Sequence, residues 1–157
     1  MKSAIMGALL AAVLLAGCGG AAPAVVAVVQ QAPPCRDQWV HMPMLVTFPT
    51  SGSDLDFQNR EILREMVRSA STRNDIRRVR VEGHADTCGS EVNNMGLSET
   101  RASRVAMELV AMGVPREMID TMGWGSSRPR ANESCGRSQQ LSRETNRRVE
   151  FELLVCR

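Results

Sequence analysis

The sequence predicts an α/β fold in which one mixed β-sheet carries two helices on one of its faces. Short segments that are apolar, or that alternate apolar with polar residues, are typical of strands, and they occur at residues 44–48, 76–83, 119–124 and 147–155. Apolar residues recur at helical spacing between the first and second of these segments, and again between the second and third. The resulting order is β-α-β-α-β-β, which predicts a two-layer sandwich.

The connections between these segments predict the strand directions. A strand–helix–strand unit aligns its two strands in parallel through a right-handed crossover. The last two strands are joined without a predicted helix, so we expect them to run antiparallel. Together the connections predict a mixed sheet with both helices on one face.

The first strand and the first helix follow from local patterns. Residues 44–48 form a short apolar run that leads into Pro-Thr-Ser-Gly-Ser, a turn sequence. A helix is predicted from about residue 56 to residue 70, because arginine and glutamate alternate on one face, as on a solvated surface. The apolar face of this helix consists of Ile62, Leu63, Met66, Val67 and Ala70.

The second strand and the second helix have similar signals. Ile76–Gly83 alternates, with Val79 and Val81 expected to face the core. Ser98 is predicted to be the N-cap of the second helix, and Gly113 is expected to end it. The apolar stripe of this helix consists of Ala102, Val105, Ala106 and Leu109.

The last third of the chain is predicted to contain a strand, a long loop and a closing strand. Residues 119–124 form a strand candidate that ends among glycines. Residues 126–145 are polar and show no periodicity, and loops of that length are usually functional or mobile. The closing strand, residues 147–155, has four alternating apolar side chains: Val149, Phe151, Leu153 and Val155.

The composition bounds the size and the function of the protein. A chain of 157 residues is long enough for one domain and too short for two. The formal net charge of +2 excludes a protein that acts mainly by bulk electrostatic binding to nucleic acid. The chain has no tyrosine, three phenylalanines and two tryptophans, too few for a platform that stacks bases or sugars. Two histidines leave most acid–base schemes short of catalytic groups, so no enzyme activity is expected.

Residues 1–17 are predicted to be a lipoprotein signal peptide. Lys2 precedes an apolar run, residues 4–16, which is too short to span a bilayer comfortably and suits a signal peptide. The run leads into Leu-Ala-Gly-Cys, which matches the bacterial lipobox, so Cys18 is expected to carry the lipid anchor. An ordinary secretory signal that happens to end near a cysteine is the alternative.

Residues 18–43 are predicted to form the lipidated cysteine and a flexible tether, and residues 44–157 the folded domain. Residues 19–34 are rich in alanine, valine and proline and carry no charge, which is typical of a linker. An additional strand at residues 24–29 is the alternative, because six consecutive apolar residues are long enough for one.

Two charged residues are candidates for a binding site. Asp86 follows the second strand, at the end where open α/β sheets place their ligands. Arg101 is expected in the first turn of the helix capped by Ser98, where the helix dipole disfavours a cation by about 0.3–1 kcal/mol and favours an anionic ligand. A zwitterion could place its ammonium group on Asp86 and its carboxylate on Arg101. The alternative is a surface ion pair between the two, worth about 0–1 kcal/mol.

Five motifs resemble the OmpA-like peptidoglycan-binding domain, in the right order from about residue 46 to residue 153. They are Gly83-His84-Ala85-Asp86-x-x-Gly89, Asn94-x-x-Leu97-Ser98-x-x-Arg101, Gly113-Val114, Gly123-x-Gly125-x-x-x-Pro129 and Asn146-Arg147-Arg148-Val149-Glu150. Together with the lipobox, they make the chain similar to the Pal-type lipoproteins of Gram-negative outer membranes.

The resemblance implies an outer-membrane lipoprotein whose domain faces the periplasm and binds peptidoglycan non-covalently through the diaminopimelate of the stem peptide. By motif position, it implies that Asp86 and Arg101 are the pair that binds diaminopimelate. Asn94, Leu97 and Arg148 correspond to residues that shape or line the same pocket. The lipid and the wall site would then tether the outer membrane to the cell wall, without catalysis and without a cofactor.

The cysteines other than Cys18 predict disulfides, because an exported protein lies where disulfides persist. The four that remain allow three pairings. Cys88 and Cys135 are expected at the ligand end of the sheet, and Cys35 and Cys156 at the opposite end. This topology favours the pairs Cys88–Cys135 and Cys35–Cys156.

Other functions stay open as alternatives. A periplasmic interaction module, with a Tol-like envelope protein as its main partner, would show a large exposed apolar patch away from Asp86. The sequence does not favour a wall hydrolase, because it shows neither the Ser/His/Asp or Cys/His pattern of a catalytic nucleophile nor the ligand spacing of a zinc site. His84, Asp86 and Cys88 alternate like a metal triad, but a histidine packed at the end of the strand explains the pattern better, so no metal is predicted.

Overall fold

The computed structural model describes residues 35–157, which form four strands, three α-helices and two short 3-10 turns. The predicted signal peptide, the predicted lipidation at Cys18 and residues 19–34 of the predicted tether lie outside the described residues. In chain order the elements are β1 (Asp37–Thr47), α1 (Phe57–Ser71), β2 (Ile76–Gly83), α2 (Glu91–Ala111), β3 (Ile119–Gly123), α3 (Gln140–Asn146) and β4 (Arg148–Cys156).

The four strands form one mixed sheet in the order β1-β4-β2-β3. The strands β2 and β3 are parallel, whereas β4 is antiparallel to both of its neighbours, β1 and β2. Because β4 lies between them, β1 and β2 run in the same direction without touching, as the first strand–helix–strand unit predicts. The predicted α/β class and the mixed sheet are confirmed.

The core lies between the helices and one face of the sheet. Leu63 of α1 and Leu109 of α2 are fully buried there, and burying such a side chain stabilises the fold by roughly 1.5–3 kcal/mol. The sheet contributes the inward side chains of the alternating strands, namely Val79, Val81, Val149, Phe151, Leu153 and Val155. On the other face, the guanidinium of Arg80 lies 3.8 Å from the ring centre of Trp39 and donates to Glu152 at 2.8 Å.

The first strand begins earlier than the sequence pattern indicates. β1 starts at Asp37 and pairs along β4 from Asp37↔Cys156 to Thr47↔Arg148, so residues 37–43 belong to the sheet and not to the tether. Two features hide this part of the strand in the sequence. Polar residues interrupt it, and its register with β4 is irregular between His41 and Leu45.

The second helix also begins earlier than predicted. Ser90 is the N-cap, and its hydroxyl accepts the backbone N–H of Asn93 at 3.2 Å. Ser98 lies inside α2, fully buried, where its hydroxyl donates to the Met95 carbonyl and accepts the N–H of Gly125. The first two turns of α2 lack an apolar stripe, since Val92 is exposed, so helical periodicity becomes visible only after Ser98.

The predicted long loop contains a short helix, α3, which ends directly before β4. Seven residues are too few to show an apolar repeat, and α3 is polar throughout most of its length. Its last residue, Asn146, accepts the N–H groups of Arg130 and Ala131 at 2.7 and 3.0 Å and donates to the Ala131 carbonyl at 2.8 Å. This side chain therefore fixes the polar segment to the start of β4.

Both disulfides match the pairing that the topology favours. Cys35 and Cys156 join the start of β1 to the end of β4, with Cα atoms 5.2 Å apart. Cys88 and Cys135 join the segment after β2 to the segment before α3, with Cα atoms 5.3 Å apart. Within residues 35–157, no helix combines the length and the apolar character needed to cross a membrane.

Candidate binding site

A cavity of about 310 Å³ opens at the C-terminal end of β2, beside the first turns of α2. It lies where the β1–α1 loop, the segment after β2 and the start of β4 come together. Its lining residues are Thr50, Ser51, Asp86, Cys88, Gly89, Asn93, Asn94, Leu97, Arg101 and Arg147. Open α/β sheets place ligands at this end of their strands.

Asp86 is held at the cavity by three elements. Its carboxylate accepts the Cys88 N–H at 3.2 Å through one oxygen and the Arg147 guanidinium at 3.1 Å through the other. Its backbone carbonyl accepts the side-chain amide of Asn94, on α2, at 3.0 Å. Asp86 is 7 % exposed, so its charge is nearly removed from water and depends on these partners.

Arg101 is fully buried and fixes the backbone around the cavity. Its guanidinium donates to the carbonyls of Pro49, Gly52 and His84 at 3.1, 2.9 and 3.0 Å. A guanidinium has five N–H donors, so these three bonds leave capacity for a ligand. Burial, with help from the Arg147 charge and against the Asp86 charge, lowers the pKa of Arg101 to about 10, so the side chain stays cationic at neutral pH.

Arg101 does not lie in the first turn of α2, which is the reason for which the sequence made it a candidate binding residue. Since α2 begins at Glu91, Arg101 lies far beyond its first turn, and the dipole at the helix N-terminus does not act on it. Three backbone carbonyls, and not the helix end, surround its charge. Among the described residues, the ion-pair partner of Asp86 is Arg147 rather than Arg101.

Arg147 lines the cavity and Arg148 does not. Arg148 donates to Glu150 at 2.6 Å and to the carbonyls of Asn146 and Arg128 at 3.3 and 3.1 Å, on the opposite face of the sheet. Arg147 instead reaches Asp86 and the Phe48 carbonyl. The strand alternation could have separated the two, because Arg147 is in phase with the inward residues that begin at Val149.

The other predicted pocket residues, Asn94 and Leu97, are part of the lining. The sequence pattern did not identify Thr50 and Ser51 individually, although they lie in the turn after the first strand. Ser51 has a backbone φ of 56°, in the left-handed region that non-glycine residues rarely occupy. The two Arg101 bonds to the flanking carbonyls of Pro49 and Gly52 hold this conformation in place.

The charges of the site favour an anion or a zwitterion. Two buried guanidiniums, Arg101 and Arg147, face one buried carboxylate, Asp86, so the lining has one excess positive charge. Glu144 is 3.9 Å from Arg147 but half exposed at the rim, where water screens it. Hydroxyl and amide groups from Thr50, Ser51 and Asn93 add neutral hydrogen-bonding partners around these charges.

The suspected metal triad does not converge on one point. Cys88 is bonded to Cys135, Asp86 faces the cavity, and the His84 ring lies 3.9 Å from Glu150. His84 faces the sheet surface that the helices leave open, as does Glu150 of the neighbouring strand β4.

Known proteins resemble the chain over about half of its length. An outer-membrane lipoprotein of Pseudomonas aeruginosa, YfiB, is 41 % identical over 75 residues, which are 48 % of this chain and 42 % of the relative. Outer membrane porin F of Pseudomonas fluorescens is 42 % identical over 72 residues, 46 % of this chain and 21 % of the porin. The chain therefore matches less than half the length of either curated relative.

Solved structures share the fold. The peptidoglycan-associated lipoprotein of Burkholderia pseudomallei superposes with a TM-score of 0.57 and 22 % identity, over 72 % of this chain and 89 % of that one. The cell wall anchor of the Pseudomonas aeruginosa T6SS superposes with a TM-score of 0.59 and 21 % identity, over 74 % and 87 %. The OmpA family matches residues 47–143, which include β2, α2, β3 and most of the cavity lining. The chain therefore belongs to the OmpA family.

Proposed function

We propose that this protein is a non-catalytic outer-membrane lipoprotein, anchored through Cys18, that binds peptidoglycan through the diaminopimelate of the stem peptide. One observation carries the proposal: the cavity of about 310 Å³ brings a buried carboxylate and two buried guanidiniums together. The protein would then tether the outer membrane to the cell wall, with many weak sites acting on one multivalent polymer.

The chemistry of diaminopimelate fits this set of charges. Its free end carries an ammonium group and a carboxylate on one carbon atom. The ammonium group would bind the Asp86 carboxylate, and the carboxylate would receive charge-assisted hydrogen bonds from Arg101 and Arg147. Lysine at the same place in the stem peptide offers the ammonium group alone. It would add a positive charge to the site and bring no carboxylate to the two guanidiniums.

In this proposal, the ion pair between Asp86 and Arg147 keeps both buried charges paired until the ligand binds. In the free protein it neutralises a carboxylate that is almost out of contact with water. On binding, the ligand's two charges would pair with both partners at once, so no buried charge would be left alone. Asn94 and Leu97 would shape the wall of the pocket. We assign the ligand no contact with Arg148, because its guanidinium bonds to the Arg128 carbonyl on the other side of the sheet.

The family and the relatives support this proposal. One curated relative is named an outer-membrane lipoprotein, and two structural neighbours are described as a peptidoglycan-associated lipoprotein and a cell wall anchor. The lipobox before Cys18 is consistent with a lipid anchor.

Sedimentation of the purified chain with isolated sacculi tests the proposal. We expect the protein to pellet with diaminopimelate-type walls and to stay in solution with lysine-type walls. Asp86→Asn keeps the size of the side chain and removes the charge, and we expect it to weaken binding at least tenfold. Asp120→Asn is the matched control, because Asp120, on β3, pairs with Arg78 of β2 at 2.6 Å and does not line the cavity. Equal pelleting of the two variants would refute the assignment.

A second candidate function rests on an apolar groove at the opposite end of β2. Its cavity measures about 320 Å³. Among its lining residues are Met66, Val67, Ile76, Met112, Pro115 and Leu153. A protein partner in the envelope could bind there while the Asp86 cavity holds the wall.

A photo-crosslinking side chain at Met112 tests this second candidate in intact cells, with the same group at the exposed Glu61 as the control. A defined protein adduct that forms only from position 112 would support a partner at the groove. Identical patterns from both positions would contradict it.

A further inference from the structure

We propose that Glu82, His84 and Glu150 bind a single divalent cation of the Zn²⁺ type on the sheet face that the helices leave open. We call these three residues the Glu-His-Glu cluster. The proposal does not depend on peptidoglycan binding, because the cluster lies on the other side of β2 from the Asp86 cavity.

The register of the sheet creates the cluster. Glu82 of β2 and Glu150 of β4 are direct cross-strand partners, and His84 follows Glu82 by two residues on the same face. One ligand atom from each residue lies within 4.8 Å of the other two. Carboxylates that face each other directly across two strands destabilise a sheet, so a cation between them would offset a specific repulsion.

His84 provides an independent sign of a missing ligand. The side chain is 2 % exposed, and in the part of the chain that the structure describes neither of its buried ring nitrogens has a hydrogen-bond partner. The closest carboxylate oxygen, Oε2 of Glu150, is 3.9 Å from Nε2, too far for a hydrogen bond. A buried polar group without a partner costs about 1–3 kcal/mol, and a bound cation would remove that cost.

The chemistry of the histidine ring suits a metal ion. A neutral imidazole has a lone pair on one ring nitrogen, and histidine is the commonest metal ligand among the side chains.

Glu150 is oriented so that one oxygen remains available. Its Oε1 accepts Arg148 at 2.6 Å and lies 3.0 Å from the Arg130 guanidinium, whereas Oε2 faces His84. Contacts of this kind fix the direction of a metal ligand in many sites. Among the side chains that the structure describes, Glu82 has no hydrogen bond or ion pair that would compete for its oxygens.

One nitrogen and two carboxylate ligands, with water in the fourth position, suit Zn²⁺. Ligand atoms around Zn²⁺ lie about 3–3.5 Å apart, so the three side chains would close by about 1 Å on binding. Arg148 and Arg130 offset part of the negative charge of the two glutamates and so weaken their attraction for a cation.

The test uses the purified full chain, with both disulfides intact and with bound metal removed by a chelator. Zn²⁺ is titrated in competition with a chromogenic chelator, and Co²⁺ is added separately to record its ligand-field absorption. We expect one ion per chain, and at least a tenfold loss of affinity in Glu82→Gln and in His84→Gln. The matched control is His41→Gln, which changes the only other histidine. His41 lies 3.5 Å from the Arg130 guanidinium and reaches the cluster only through it, so we expect a change in affinity of less than threefold.

Glu82→Gln keeps the test decisive if His84→Gln fails to fold. Among the side chains that the structure describes, Glu82 forms no hydrogen bond or ion pair that the substitution would remove, and Gln fills nearly the same buried volume. Circular dichroism of the metal-free variant checks that it folds. The absence of stoichiometric Zn²⁺ binding would overturn the proposal. The proposal would also be overturned if Glu82→Gln bound Zn²⁺ as tightly as the unaltered chain, or if His41→Gln no longer bound it.

Discussion

Three arginines near the site make different contacts because they occupy different positions: Arg101, Arg147 and Arg148. Arg101 binds three backbone carbonyls, Arg147 neutralises Asp86, and Arg148 orients Glu150 on the far side of the sheet. The sequence predicts that Arg101 lies at the site, but the physical reason behind that prediction is wrong. It assumes that α2 begins after Ser98, whereas α2 begins at Glu91. The sequence motif also favours Arg148 over Arg147, although strand alternation contains the information needed to choose between them.

The buried His84 predicts acid sensitivity of the metal-free protein. Its pKa is about 4 in the folded chain and 6.5 in an unfolded one, so the unfolded state binds the extra proton first. Stability should be complete above about pH 6.5 and should fall as the pH drops towards 4, by at most about 3 kcal/mol. Urea unfolding across this range measures the effect. His84→Gln should flatten the profile, and a variant that loses stability as steeply as the unaltered chain would contradict the assignment.

At the scale of elements, the sequence predicts well where a pattern is long and amphipathic. The strand Ile76–Gly83 and the helix behind Asp56 match their predicted bounds to within a residue or so. The pattern fails where polar residues are buried for tertiary reasons. Asn94 looks like a surface residue in the sequence, but it is 5 % exposed and binds the Asp86 carbonyl, so the first turns of α2 were not recognised.

Close packing of α2 on the sheet depends on two glycines. Gly83 and Gly123 are register partners, and a Cβ atom at Gly83 would lie 2.0 Å from the Ser98 carbonyl oxygen. We expect Gly83→Ala to destabilise the fold by about 3 kcal/mol or more, because the new methyl group would force the backbone of α2 at Ser98 away from the sheet.

The matched variant is Gly96→Ala, within the same helix. A Cβ atom there would meet nothing within 4 Å, so we expect a gain of about 0.5–1 kcal/mol from the higher helix propensity of alanine. Thermal unfolding of both variants checks the pair of predictions. Equal effects at the two positions would contradict the close approach of α2 to the sheet.

At the scale of the whole molecule, the two disulfides crosslink the chain at opposite ends of the sheet. Cys35–Cys156 spans 121 residues and closes the sheet at the end away from the cavity, whereas Cys88–Cys135 lies beside the cavity. Chain direction alone was enough to predict this pairing, because each strand carries its cysteine to a known end of the sheet. The extent of β1 was not predictable in this way, since its first residues become a strand only by pairing with β4.

Removal of the longer disulfide should weaken the fold without affecting the site. We expect the double variant Cys35→Ser, Cys156→Ser to lose about 3–5 kcal/mol in urea unfolding, since a long loop is no longer closed in the unfolded chain. Wall binding by the fraction that remains folded should be unchanged. A loss of stability below about 1 kcal/mol would show that the pairing of β1 with β4 suffices by itself.

Two-dimensional NMR of the isotope-labelled chain can show whether the Asp86 cavity recognises the free end of diaminopimelate, as we propose. A muropeptide with diaminopimelate and its lysine counterpart would be titrated in parallel. We expect the diaminopimelate ligand to shift the amide signals of Gly89, Asn94 and Asp86, with far smaller shifts from the lysine ligand and none at Met112 in the apolar groove. Equal shifts from both ligands, or shifts concentrated at the groove, would show that the Asp86 cavity does not recognise diaminopimelate.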